Sequence, residues 1–517
     1  MGYNRFVGGI CEGTEQLPLE KQSLYRGRIG MKKQIIVADM KEEGERIVHH
    51  WSSCISIGQA CEGLRTDWVK QLTQAYKECG FRYIHLNGLL SDNMFVYYEE
   101  EGISYYNWQY IDSLFDTILE TGIRPFVEFG FMPNDLAKGD QYKFWWKGNI
   151  TPPKDYMQWS NLISALMKHW AQRYGMHEIQ KWYYEVRSEA NCPDYWEGTK
   201  EEYFELYKVT AEAVKMVSKQ LQIGGPSIQI GVIEGQLVKD NLRWLEDFLE
   251  YCSTNQLPLD FISIHSYKSL VDEVTALNEL IMNSPFHDAK LIVTEFCSSD
   301  CHRDYSHDGQ PMAAYLVYQN IATLGMVQAL SYRGLSDLSE DFKGPPKCFH
   351  GGMGLINMQG IKKPSYHAYR MLHMLGHSMI KQEEGCLVTK TIEGEIRALF
   401  YNYPTELMDA LPRSLYPSQE VAKEIELLGI KHKLEVTLHN LKPETTLVLE
   451  LLDSKHKDVI KRWRSIGSPT VLAPYEVKEL KEISETTTKM YFTADEEGTV
   501  KIQFTLLPFA IACLVES

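Results

Sequence analysis

Two glutamates, Glu189 and Glu295, each close an apolar, strand-like run in this 517-residue chain. The first run is Lys181-Trp-Tyr-Tyr-Glu-Val-Arg-Ser-Glu189, broken soon after by Pro193; the second is Ala289-Lys-Leu-Ile-Val-Thr-Glu295, which gives way to a polar loop at 296–308. A strand that delivers a carboxylate at its carboxyl end can aim it into a pocket, and two such strands can aim a pair into the same one. Carboxyl groups about 5–5.5 Å apart break acetals with net retention, one protonating the leaving oxygen while the other attacks the anomeric carbon. Acids that close drive their ionisations apart and leave one of them protonated near neutral pH. On this basis Glu295 is the candidate nucleophile and Glu189 the candidate acid/base. Either glutamate alone would more often be a salt-bridge partner; the pair is the specific signal.

Residues so distant in sequence meet only if a scaffold brings them together. From Ser52 onward, short apolar runs alternate with longer amphipathic ones. The spacing predicts strands at 54–58, 81–86, 124–129, 181–187, 222–225, 261–265, 291–296 and 329–333. Helices are predicted between and after them at 65–79, 108–120, 154–173, 200–219, 241–252, 271–282, 312–324 and 365–375. Eight such units predict an α/β fold, a closed (β/α)8 TIM barrel whose active site lies at the carboxyl ends of its strands. An open doubly wound sheet would carry a glycine-rich phosphate loop after its first strand, and Gly58-Gln-Ala-Cys-Glu-Gly63 lacks that spacing. Past residue 377, strand-like runs at 386–391, 395–401, 433–438, 446–452, 490–492, 499–504 and 510–515 follow without long helices between them. They predict an accessory β-sandwich over 377–517, with short helices at 418–427 and 474–483. The barrel then spans 41–376, preceded by a lone strand within 33–40 and an N-terminal extension, 1–32, in which Met31 is a second candidate start.

Composition narrows the function. A formal net charge of −16 with no basic stripe excludes a nucleic-acid partner. No signal-length or membrane-length apolar run occurs, so a cytoplasmic protein with no membrane partner is expected. The 11 cysteines have no repeating spacing; Cys297, Cys301 and His302 lack a second ligand pair, so no metal is expected. Nor is an organic cofactor, because two carboxyls suffice for the reaction. Thirty tyrosines and 11 tryptophans suit stacking on sugar faces and core packing equally. Trp145-Trp146, in the loop after the third strand, are candidates for an aglycone platform or for the core. His302, His307 and His350 sit on loops that rim the same end, and His49-His50 are expected on the surface.

Four further stretches carry a resemblance: Gly122-Ile-Arg-Pro-Phe-Val-Glu-Phe-Gly-Phe-Met-Pro133, Gly148-Asn-Ile-Thr-Pro-Pro-Lys-Asp155, Phe204-Glu-Leu-Tyr-Lys-Val-Thr-Ala211 and Phe349-His-Gly-Gly-Met-Gly-Leu355. From about Lys33 to the C-terminus the chain resembles glycoside hydrolase family 39, the β-xylosidase family within the retaining (β/α)8 glycosidases. The resemblance implies the same roles for Glu189 and Glu295. It implies that His265 and Tyr267 line the −1 sugar site, with the tyrosine bonding the nucleophile, and that the loop at Glu340 and Asp341 reaches toward the sugar hydroxyls. It further implies that the strand near residue 33 joins the sandwich, that the substrate is an oligosaccharide or small glycoside trimmed from its end, and that the protein is a homo-oligomer.

Three positions depart from the family pattern. Trp-Asn-Glu-Pro is replaced by Arg187-Ser188-Glu189-Ala190, so Ser188 stands where an asparagine would reach the sugar and needs a water to bridge the gap. Arg-Gly-His-Gly becomes His85-Leu86-Asn87-Gly88, and Tyr-Trp becomes Tyr332-Arg333, which removes an aromatic platform. Asn87, Ser188 and Arg333 therefore join His265, Tyr267, Glu340 and Asp341 as candidate substrate contacts. Three readings stay open. The −1 pocket is re-cut for another glycone, with Arg187 and Arg333 suiting an acidic sugar; or a β-xylosidase survives with altered contacts; or the barrel binds sugar without turnover. The arginines would be structural if they pair instead with Glu185, Glu340 or Asp341.

Overall fold

The computed structural model describes residues 30–233, 236–267, 269–339, 341, 347–409, 418–455, 458–485 and 487–517; most of the N-terminal extension, and Glu340, lie outside the described residues. All eight expected barrel strands form: β1 (Cys54–Gln59), β2 (Tyr83–Asn87), β3 (Arg124–Phe129), β4 (Tyr183–Val186), β5 (Gln222–Gln229), β6 (Phe261–Tyr267), β7 (Lys290–Cys297) and β8 (Ala329–Arg333). Neighbours pair in parallel around a closed ring, β8 meeting β1 and β3 meeting β4. Strands covered on both faces must be apolar almost throughout, which is why these runs read as continuous rather than alternating. Cys54, Phe126, Tyr183, Phe261, Ile292 and Ala329, all from the early part of their strands, plug the amino-terminal end.

The outer ring consists of α1 (Thr66–Cys79), α2 (Gln109–Thr121), α3 (Tyr156–Tyr174), α4 (Lys200–Val217), α5 (Lys239–Thr254), α6 (Leu270–Met282), α7 (Gln310–Ala322) and α8 (Pro364–His373). Local chemistry sets their ends. Asp155 accepts from the N–H groups of Met157 and Gln158 to start α3, and Thr199 and Glu202 form a reciprocal box at α4. Gly80 and Gly122 end α1 and α2 in the left-handed conformation. Helix α7 is apolar nearly all round because its outer side is covered too: Tyr315 and Tyr318 pack on Tyr403, beyond the barrel.

A seven-stranded, antiparallel sheet follows the barrel in sequence and takes in the short segment Glu45–Arg46. A three-stranded sheet lies against it, made of Met31–Asp39, Lys431–His439 and Val500–Leu506, with the first two parallel. Ile36, Val436, Ile502 and Phe504 from the small sheet and Val388, Ala398, Leu449 and Leu514 from the large one share one apolar core. Strand Ser378–Glu383 was not expected; its sequence, Ser-Met-Ile-Lys-Gln-Glu, has little apolar pattern, and none of it is fully buried. His49 and His50 are a correction to the sequence reading, being buried rather than superficial. His49 stacks between Trp51 and His377 and meets the Gly376 carbonyl at 2.9 Å; burial pushes both imidazoles down to about 4. Among the described residues no helix is long and apolar enough to cross a membrane.

Candidate active site

Strand β4 ends at Val186, and the chain turns sharply to present its glutamate: Arg187 and Glu189 both adopt left-handed φ, +46° and +55°. Such angles cost non-glycine residues about 1–3 kcal/mol each and persist where surrounding bonds hold them. Here the Glu189 N–H donates to the Ser227 carbonyl of β5 at 2.9 Å, and Ser227 is itself at φ +52°. Opposite, the β6–β7 register shifts between Ile264 and His265, which places His265 beside Glu295.

These turns bring the two glutamates together. One carboxylate oxygen of Glu189, one of Glu295 and a ring nitrogen of His265 all lie within 4.8 Å of one another, and all three side chains are buried. The Oε1 atom of Glu189 accepts from Gln229 Nε2 at 2.9 Å and from His265 Nδ1 at 2.7 Å; its buried Oε2 has no partner among the described residues. Glu295 Oε2 accepts from the Tyr267 hydroxyl at 2.9 Å and from Arg333, and lies 3.5 Å from His265 Nδ1. His265 Nε2 meets Ser227 Oγ at 2.8 Å, which meets Thr294 Oγ1 at 2.8 Å. Arg333 also reaches Asp341 at 3.4 Å, and Asp341 is held by Trp146 Nε1 at 3.1 Å.

Charge follows from this geometry. Burial favours a neutral Glu295, but the Arg333 guanidinium, then His265, overcome it and hold the carboxyl down at about 2. Burial likewise opposes a charged His265, and Glu295 and Glu189 reverse that, raising the imidazole to about 9. Asp341 is raised by burial, with Arg333 opposing.

The remaining candidates fall differently. Asn87 lies at the end of β2 with its buried side-chain carbonyl oxygen unpartnered among the described residues. Ser188 is turned into the barrel: its hydroxyl donates to Glu128 Oε2 at 2.8 Å and its N–H to Oε1 at 3.1 Å. Arg187, expected at the mouth, is buried; its guanidinium lies 3.8 Å from the centre of the Phe131 ring, donates to the Tyr195 carbonyl, and comes within 3.9 Å of Glu128. Among the described residues it pairs with neither Glu185 nor Asp341, whereas Arg333 does pair with Asp341. His307 is buried against Cys297, 3.4 Å away. A cavity of about 60 Å³ sits beside Arg333 and Asp341, lined also by His302, Arg303, Asp337 and His350, but by neither glutamate.

Sequence reading missed a lower layer. His85 Nε2 bonds Glu185 Oε2 at 2.8 Å, and ligating atoms of His85, Glu185 and Glu128 lie within 4.8 Å of one another, all buried beneath the glutamate pair. A signal was present: a charged residue inside an apolar, doubly covered strand must face the barrel interior, and Glu128 and Glu185 are in register. Gln229 was missed because Gly224-Gly-Pro-Ser227 reads as a turn; instead β5 bulges between Pro226 and Ile228 and continues to Gln229.

A closed (β/α)8 barrel with two carboxyls this close, at the ends of its fourth and seventh strands, has the architecture of a retaining glycosidase. Residues 34–501 match the family model "Glycosyl hydrolases family 39". The chain is 36% identical to a beta-xylosidase of Geobacillus stearothermophilus over 398 residues, covering 72% of this chain and 77% of that one. It is 33% identical to a beta-xylosidase of Caldicellulosiruptor saccharolyticus over 466 residues, covering 85% and 89%. The crystal structure of a GH39 enzyme from Xanthomonas axonopodis pv. citri superposes with a TM-score of 0.86 at 27% identity, covering 95% of this chain and 99% of the other. The chain belongs to glycosyl hydrolase family 39, a family of retaining glycosidases.

Proposed function

We propose that this protein is an exo-acting β-glycosidase of β-xylosidase type, with Glu189 as acid/base and Glu295 as nucleophile. The carrying observation is the approach of their carboxylate oxygens to within 4.8 Å, close enough for direct attack and too close for an intervening water. Glu295 is ionised, as attack requires. Glu189 has one oxygen tied by two donors and the other buried and unpartnered, so Oε2 is the atom that carries the transferred proton. In the first step a Glu295 oxygen bonds the anomeric carbon as the glycosidic bond breaks, and the Glu189 proton goes to the leaving oxygen. In the second, Glu189 takes a proton from water, which attacks the same carbon and returns the bonding pair to Glu295.

The re-cut pocket is part of the proposal. With Ser188 bonded to Glu128, and Arg333 in place of an aromatic, the sugar meets fewer of the expected partners. An acidic glycone is disfavoured, because both guanidinium groups already face carboxylates. The same altered contacts favour the alternative of a sugar-binding barrel without turnover. A homo-oligomer in a reducing cytoplasm completes the proposal; the buried Cys54, Cys79, Cys252, Cys348, Cys386 and Cys513 are free thiols, and light scattering tests the assembly.

A panel of nitrophenyl glycosides separates the readings. Hydrolysis of the β-xyloside that is lost in both Glu189→Ala and Glu295→Ala supports the enzyme. Azide should rescue Glu189→Ala alone and yield a β-glycosyl azide. Sugar binding without turnover in the wild type would establish the alternative.

A further inference from the structure

Arg333 occupies an unusual place for a pocket residue. Its guanidinium borders the cavity and closes on the nucleophile, bonding Glu295 Oε2, while its other arm reaches Asp341 and Asp341 is fixed by Trp146. Tyr267 shares the same oxygen and lies 3.4 Å from Arg333. Arg333 and Tyr267 both donate to Oε2, which leaves Oε1 as the oxygen that attacks and makes Oε2 the carbonyl oxygen of the glycosyl-enzyme ester. We propose that Arg333 is a positioning residue for the second half of the reaction, holding Oε2 so that Glu295 departs readily and the ester breaks down faster than it forms. The inference rests on the assignment of Glu295 as nucleophile.

The chemistry is balanced without any further reactant. Water bonds the anomeric carbon and gives its proton to Glu189, the bond from carbon to Oε1 breaks, and its electron pair returns to a carboxylate that Arg333 already stabilises. A charge-assisted donor on that carboxylate lowers its basicity, which helps it leave and hinders its attack. Low basicity is what the surroundings produce: Arg333 from β8, His265 and Tyr267 from β6 and His85 from β2 face Glu295 as donors or positive charge, against Glu189 and Tyr195 after β4 and Asp341 after β8. Together they hold the carboxyl at about 2.

The test compares wild type, Arg333→Gln and Arg333→Lys on dinitrophenyl and nitrophenyl β-xylosides. In the wild type, kcat should follow leaving-group ability with no burst. In Arg333→Gln it should lose that dependence, show a burst of phenol and accumulate a covalent adduct by intact mass, with kcat falling about 10- to 100-fold, the range for losing a bond to a charged group, and kcat/KM falling less. The acid limb of kcat/KM should move to higher pH, and lysine should restore part of both effects. Equal losses in kcat and kcat/KM, with no adduct and an unmoved acid limb in a folded variant, would overturn the proposal. If no glycoside is turned over, the assignment of function fails. Carbon-13 NMR titration of the Glu295 carboxyl, assigned with Glu295→Gln, then decides the placement of Arg333 separately: it should titrate low in the wild type and higher in Arg333→Gln, and an unchanged titration sinks it.

Discussion

Two buried clusters lie one above the other in the barrel, and they are built from nearly the same parts. The upper holds Glu189, Glu295, His265 and Arg333; the lower holds Glu128, Glu185, His85 and Arg187. What differs is how the arginine meets its carboxylate. Arg333 bonds Glu295 directly, and the carboxyl is held down at about 2. Arg187 comes only within 3.9 Å of Glu128, spends itself on the Phe131 ring and the Tyr195 carbonyl, and leaves burial to raise the Glu128 carboxyl. Arg187 is itself lowered to about 10 by burial. Composition does not decide which carboxyl is held down; a direct bond against a looser approach does. On the proposed assignment the upper cluster carries the chemistry, while the lower one secures the turn that carries Glu189, through both donors of Ser188.

The sharpest way to break this contrast is to remove the same charge from each layer. Glu295→Gln should cost at least about 10³-fold in kcat on an aryl glycoside while leaving the fold intact, as expected for a nucleophile. Glu128→Gln should retain far more activity, since it keeps an acceptor for Ser188. If both variants were equally inactive, the lower layer would belong to the chemistry and the division would fail. Next in size is Glu128→Ala, which strands the Arg187 guanidinium in the interior. Stability should drop by about 3–5 kcal/mol, the cost of leaving a buried charge uncompensated, read from denaturant unfolding. A loss below about 1 kcal/mol, within the range of an exposed pair, would mean that Arg187 finds another partner.

The two layers were not equally legible in the sequence. Strand-end glutamates announce themselves because the run before them is apolar and the loop after them is polar, so Glu189 and Glu295 stood out, and with them the eight β/α units. The lower layer depends on residues inside strands, where periodicity says only that a position is buried. Glu185 figures in the sequence reading only as a possible partner of the arginines and Glu128 only within a resembling stretch, neither as a partner of His85 or Ser188. Arg187 and Arg333 posed a different difficulty. Both sit at strand ends near the mouth, yet a left-handed backbone turns one inward while the other stays beside Glu295, and no residue spacing reports the sign of φ. Gln229 was hidden by a glycine–proline pair that is a turn in most chains and a bulge in this one.

Smaller effects sharpen the upper layer. Tyr267→Phe deletes the 2.9 Å bond to Glu295 Oε2 but leaves Arg333 in place, so kcat should fall only about 10-fold, the worth of one bond to a charged acceptor. A larger loss than that of Arg333→Gln would make the tyrosine the principal holder of the nucleophile.

The least disruptive probe is pH. His265 is raised to about 9 by Glu295, Glu189 and Glu185 against the opposition of burial, from an unfolded value near 6.5. Its imidazolium therefore adds stability that is complete below pH 6.5 and is lost as pH rises through about 9. Glu295 works in the opposite sense: held at about 2, it contributes above its ordinary range near 4.5, and that contribution fades as pH falls toward 2. Melting temperature should therefore form a plateau between these limits, declining by a few degrees toward pH 9.5. In His265→Asn the alkaline decline should flatten, with the acid side little changed. The lower layer supplies the control, because Glu128→Gln leaves His265 and both glutamates in place and should preserve the alkaline decline. If the decline vanished in Glu128→Gln as well, the two clusters would titrate as one, and the separation between a reactive and a supporting layer would have to be abandoned.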